Sequence, residues 1–147
     1  MDRTYEVVGL ILFLVASLVN LLAAGAALAH AKGKRRAEYI IGIFLIAMAL
    51  PVGVAVVFNM LGNRAWWAII FPSLLLVYFV IEWLFHYVWK LDFRSTSLFW
   101  PYIILYYLAT SGMLGFSFAL GAVYGFIYLF TYFLNLFITW AARPHAK

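Results

Sequence analysis

The sequence predicts an all-α fold, a polytopic integral membrane protein built as a bundle of five transmembrane helices. Three observations carry that expectation. Hydrophobic residues make up 68% of the 147-residue chain and charged residues only 10%, whereas a soluble domain carries roughly 25% charged residues. The apolar residues fall into runs long enough to cross a bilayer, which needs about 20 residues for about 30 Å of hydrocarbon. The basic residues collect in the connections of one side. Disorder is excluded by the same composition, because disordered chains are poor in apolar residues. The whole chain, 1–147, reads as one transmembrane helical domain.

The first span is expected at about 7–29. Its small residues near Ala23–Ala29 resemble a signal-peptidase site in spacing. The segment before it has no net positive charge, however, and the apolar run is too long for a signal peptide, so a retained span is expected. The second span, at about 39–61, contains Pro51 and Gly53 and should bend there. The third, at about 65–89, carries Pro72 near its start. Then 43 residues, from 98 to 140, pass without a formal charge. As one helix they would extend about 65 Å at about 1.5 Å per residue, twice the bilayer. A reversal is therefore expected between Ser117 and Gly121, giving spans at about 98–117 and 122–140. Ser97 is placed to cap the fourth span, whose first turns tolerate Pro101.

Charge tests the count. Five spans put Lys32, Lys34, Arg35, Arg36, Lys90, Arg94, Arg143 and Lys147 on one side, with Arg3 and Arg64 on the other. The positive-inside rule then sets the N-terminus outside and the C-terminus in the cytoplasm, of the plasma membrane by expectation. Trp66 and Trp67 suit the outer interface, while Trp89, Trp100 and Trp140 suit the inner one; Trp83 lies deeper. The net charge of +5 is thus a topology signal that also attracts anionic membrane lipids, and no nucleic-acid partner is expected.

Glu82 is the residue that points to function. It is the formal charge set well inside an apolar run, and such a group is costly unless paired, neutralised or wetted. Tyr78, Glu82, His86 and Lys90 recur at i,i+4, which places them on one helical stripe. Tyr106 of the fourth span, Asn135 of the fifth and Asn20 of the first add polar groups at comparable depth. Together they are expected to form an aromatic-walled site for a ligand or a proton. Lys90 and Arg94 are expected to bind a headgroup at its mouth. Glu82 and His86 also allow a purely structural pairing that fixes helix register.

The function expected is binding or transport of a small amphiphilic or cationic solute, with proton coupling through Glu82. One alternative is a membrane-embedded enzyme acting on a lipid or isoprenoid, with Glu82 and His86 as acid and base. The other is an accessory subunit of a larger membrane complex. Small-residue motifs at Gly121/Gly125 and Ser111/Gly115 would serve either internal packing or a homo-oligomer. No catalytic residue, cofactor or metal site is expected. There is no cysteine, no zinc-protease histidine pair and no phosphate-binding glycine loop. His30, His86 and Asp92 would need tertiary convergence to join Glu82 around a metal or haem.

Overall fold

The computed structural model describes residues 3–90 and 96–142. Helix α1 runs Arg3–Ala31, α2 Arg35–Ala47, α3 Ala49–Leu61, α4 Trp66–Trp83, α5 Phe99–Leu120 and α6 Ala122–Ala141. A π-helical turn, Leu84–Val88, continues α4. With α2–α3 and α4–π each taken as one rod, five helices are long and apolar enough to cross a membrane. Several start or stop beyond the expected apolar limits, as α1 does at Arg3. Hydrogen bonding carries a helix past the hydrocarbon into the headgroup region, where polar residues are tolerated.

The break between α2 and α3 falls at Met48, three residues before Pro51. Pro51 has no amide hydrogen for the Ala47 carbonyl and its ring crowds that carbonyl, so the rod is interrupted one turn upstream. Two connections close by the same device. After α1 the amide of Lys34 bonds the Ala29 carbonyl at 2.9 Å and that of Gly33 bonds His30 at 3.1 Å. After α3 the amide of Arg64 bonds Asn59 and that of Asn63 bonds Met60, both at 3.1 Å. Each is a Schellman stop, with Gly33 (φ 68°) and Asn63 (φ 48°) in the left-handed conformation it requires. The expected Ser97 cap is not made: Leu98 is the N-cap of α5, and Ser97 contributes only its backbone carbonyl to Trp100.

The reversal between α5 and α6 takes a single extended residue, Gly121 (φ 163°). Beyond it the helices run antiparallel. Phe118 covers Gly125, the Tyr128 hydroxyl donates to the Thr110 carbonyl at 2.9 Å, and Asn135 donates to the Tyr106 hydroxyl. Each rod packs on its sequence neighbours and α6 closes the circuit against α1. The α1–α6 pair is parallel: Phe13 meets Tyr124 edge-on at 5.2 Å, and seven residues further along both helices Asn20 bonds Thr131.

Helix α1 sits deepest, half of its most apolar stretch being buried against 22% for the α2–α3 rod and for α6. Leu12, Val19, Leu75, Phe79, Met113, Phe116 and Tyr128 fill the centre. Meanwhile Leu50, Val54, Leu61, Phe130 and Phe137 lie 65–80% exposed, a surface suited to lipid rather than water. Close approach relies on glycine. A Cβ at Gly112 or Gly115 would stand 3.2 or 3.3 Å from the Phe71 ring. The Gly125 and Gly115 faces that suggested either packing or dimerisation are thus occupied from within the chain.

Asn59 resolves a problem that Pro72 creates. Within α4 the carbonyl four residues before Pro72 belongs to Ala68, and proline has no amide to offer it. The Asn59 side chain, 4% exposed on the neighbouring α3, donates to that carbonyl at 2.9 Å.

The alternating rods gather the end of α1, the start of α2, the π turn, the start of α5 and the end of α6 at one pole. Lys32, Lys34, Arg35, Arg36 and Lys90 are there; Arg3 and Arg64 are at the other pole, with Arg64 4.5 Å over the Tyr5 ring. Arg94, Arg143 and Lys147 lie outside the described residues.

Candidate functional site

Glu82 occupies the last turn of α4, about six residues or roughly 9 Å inside the end of its span. Its side chain is 17% exposed. Both carboxylate oxygens are engaged. Oε1 is 3.0 Å from Nδ1 of His86, one turn along the same helix, and Oε2 accepts from the Tyr102 hydroxyl of α5. The Tyr102 and Tyr78 hydroxyls are 3.3 Å apart. Tyr78, 5% exposed, sits edge-on to Tyr106 with ring centroids 5.2 Å apart. Phe85 stacks over Tyr102 at 6.4 Å. A carboxylate in an apolar span is thereby given two donors and a wall of rings, while each oxygen keeps a second lone pair for another donor or cation.

Local backbone shape sets this arrangement. The π turn spans Leu84–Val88, and turns of this kind recur at functional sites because the extra residue re-aims side chains. His86 lies inside it with its side chain 37% exposed. The turn also ends the expected stripe. Tyr78, Glu82 and His86 keep their succession, but the helix stops at Val88 and Lys90 (φ 49°) leaves it in a left-handed conformation. Lys90 is exposed at the basic pole rather than a further rung below His86. Arg94, its expected companion at a headgroup, falls outside the described residues, as does Asp92. Tyr87, within the π turn, fixes it to α2. Its ring lies 5.4 Å from that of Tyr39, its hydroxyl reaches the Tyr39 carbonyl at 3.4 Å, and it fills the space a side chain at Gly42 would need.

The other sequence-derived site residues form adjoining groups. Tyr106 and Asn135 bond each other, and Thr139 donates to Asn135 Oδ1 at 3.2 Å. This pair meets the Glu82 group through the Tyr78–Tyr106 ring contact. Asn20, fully buried, lies further from the basic pole and donates to Thr131 at 3.1 Å. The α5 tyrosine bonded to Glu82 is Tyr102, whereas the sequence singled out Tyr106. The position of Tyr102 opposite Glu82 follows only once the α4–α5 register is known.

His30 does not join Glu82. It pairs with Glu38 across the α1–α2 turn, Nδ1 lying 3.1 and 3.2 Å from the two carboxylate oxygens. Among the described residues no group of three metal-ligating side chains gathers. Comparison with protein-family models, curated proteins and solved structures gives no match to this chain.

Proposed function

We propose that this is a multi-pass membrane protein that binds, and in transport carries, a small amphiphilic cation, with Glu82 as its charge partner. The single observation behind the reading is the Glu82 carboxylate, set inside an apolar span and held between His86 and Tyr102. Such a group in hydrocarbon is costly and is ordinarily kept for a pathway or a ligand.

The surroundings favour an amphiphile over a simple ion. The basic pole repels a hydrated cation arriving from its own aqueous side. A lipophilic cation instead partitions into the bilayer and approaches laterally, past Trp83 and the exposed His86. The rings of Phe85, Tyr78 and Tyr102 then offer it cation–π contacts. Protons compete with the cation for the carboxylate, and a protonated His86 repels it. Binding weakens as pH falls. Among the described residues, the other titratable groups near Glu82 are the hydroxyls of Tyr78, Tyr87, Tyr102 and Tyr106.

In this reading the basic pole faces the cytoplasm, so the N-terminus is outside and the C-terminus inside. Lys90, exposed at that pole, holds a lipid phosphate at the mouth.

The test is a titration of the protein in lipid nanodiscs with tetraphenylphosphonium, read by the fluorescence of the tryptophans. Saturable binding that weakens on acidification and is lost in Glu82→Gln supports the proposal. Equal binding by wild type and Glu82→Gln, unchanged from neutral to mildly acidic pH, overturns it.

A further inference from the structure

The polar groups continue from the Glu82 site into the middle of the bundle, and at the far end two of them are left over. Among the described residues, Ser17 Oγ and Asn20 Oδ1 are buried atoms without a hydrogen-bond partner. Asn20 is fully buried and Ser17 is 9% exposed.

Asn20 Oδ1 cannot be satisfied by turning its neighbours. Thr131 accepts from Asn20 at 3.1 Å, while its own hydroxyl hydrogen is committed to the Tyr128 carbonyl at 2.7 Å. The atom of Asn20 facing Thr131 must therefore be the donor nitrogen, which fixes the amide and aims Oδ1 elsewhere. The Tyr128 hydroxyl lies near the same amide. That hydroxyl has its own hydrogen on the Thr110 carbonyl at 2.9 Å, so it cannot donate to Oδ1.

Ser17 is anomalous in a second way. The buried hydroxyls of Thr110 and Ser117 bond back to carbonyls of their own helix, at 2.9 and 2.8 Å, as does Thr131. That is the usual refuge of a hydroxyl inside a helix. Ser17 does not take it. Asn20 lies three residues further along the same face of α1, where side chains stand about 5–6 Å apart at Cβ.

We infer that Ser17 and Asn20 hold a buried water molecule in the centre of the bundle, which donates to Asn20 Oδ1 and shares a hydrogen bond with the Ser17 hydroxyl. Two polar partners one turn apart are what a single water needs. The seam above the site is polar as well: Thr131, Tyr128 and Thr110, then Asn135 and Tyr106, then Tyr78, Tyr102 and Glu82. Counted from Ser17 to Glu82 by the α1–α6 and α5–α6 registers, the polar groups extend over about 11 residues, roughly 16 Å. Toward the opposite pole the packing turns apolar, with Phe13 against Tyr124 and Phe116 against Trp67. The inference concerns the centre of the bundle and does not depend on what Glu82 binds.

The test is water-to-protein magnetisation transfer, measured by solid-state NMR on labelled protein in bilayers. Transfer to the Asn20 side chain of wild type, lost in Ser17→Val while the Thr131 and Tyr128 signals stay in place, is the expected result. Persistence of the transfer in Glu82→Gln keeps this inference separate from the cation-binding proposal. Wild-type Asn20 receiving no magnetisation from water overturns the inference, and that spectrum decides the matter even if Ser17→Val fails to assemble. Undiminished transfer in a folded Ser17→Val also overturns the assignment to this pair.

Discussion

Replacing Asn59 by leucine, which is close to it in size, removes the amide that covers the Ala68 carbonyl and leaves that carbonyl dry. Both residues are 4% exposed, so water cannot take over. Stranding a buried acceptor costs about 1–3 kcal/mol, while interhelical hydrogen bonds in membranes average about 0.6 and reach about 1.7 kcal/mol. A loss of about 1–1.5 kcal/mol is expected for Asn59→Leu. The cost depends on Pro72, because proline denies Ala68 its intrahelical partner. In a Pro72→Ala background the new amide at position 72 bonds Ala68, and Asn59→Leu should then cost under about 0.5 kcal/mol. The assay is reversible unfolding of the four proteins of this double-mutant cycle in mixed micelles. A coupling of about 1 kcal/mol is expected. Equal costs of Asn59→Leu in the two backgrounds would refute the reasoning, even if both variants were destabilised.

Other perturbations bear on different parts of the molecule. The chain has no cysteine, so single cysteines report topology cleanly: Arg64→Cys should react with an impermeant thiol reagent on intact cells, and Lys34→Cys only after permeabilisation. Glu38→Gln, which breaks the exposed pair with His30, should change stability by less than about 1 kcal/mol in a denaturation assay. Gly42→Leu would drive Tyr87 from its place against Tyr39 and disturb the π turn, so cation binding should weaken while unfolding shows the bundle intact.

Much of the fold is legible in the sequence because its causes are local. Apolar length gives the five rods, Pro51 the bend, and the uncharged stretch from 98 to 140 a compulsory reversal. The π turn is not legible. Nothing in Leu84–Val88 distinguishes a π turn from an α turn, and its effect is to take Lys90 off the stripe. The Glu82–His86 pairing is legible because both partners lie on one helix. Tyr102 is not, since choosing it over Tyr106 needs the register of two helices. The role of Asn59 does carry a signal in the sequence. A proline inside a span requires a donor for the carbonyl four residues earlier, and the hairpin places Asn59 opposite Ala68. Asn20 is legible as a mid-span polar group, but its unmet oxygen is not, since that follows from hydrogens Thr131 and Tyr128 have committed elsewhere.

The most direct measurement is the infrared difference spectrum produced by adding tetraphenylphosphonium to the protein in bilayers, with glutamate carboxyls isotopically labelled. A carboxylate band that shifts on binding, vanishes in Glu82→Gln and moves in Tyr102→Phe is the predicted result. A cation that binds without disturbing the Glu82 band would contradict it.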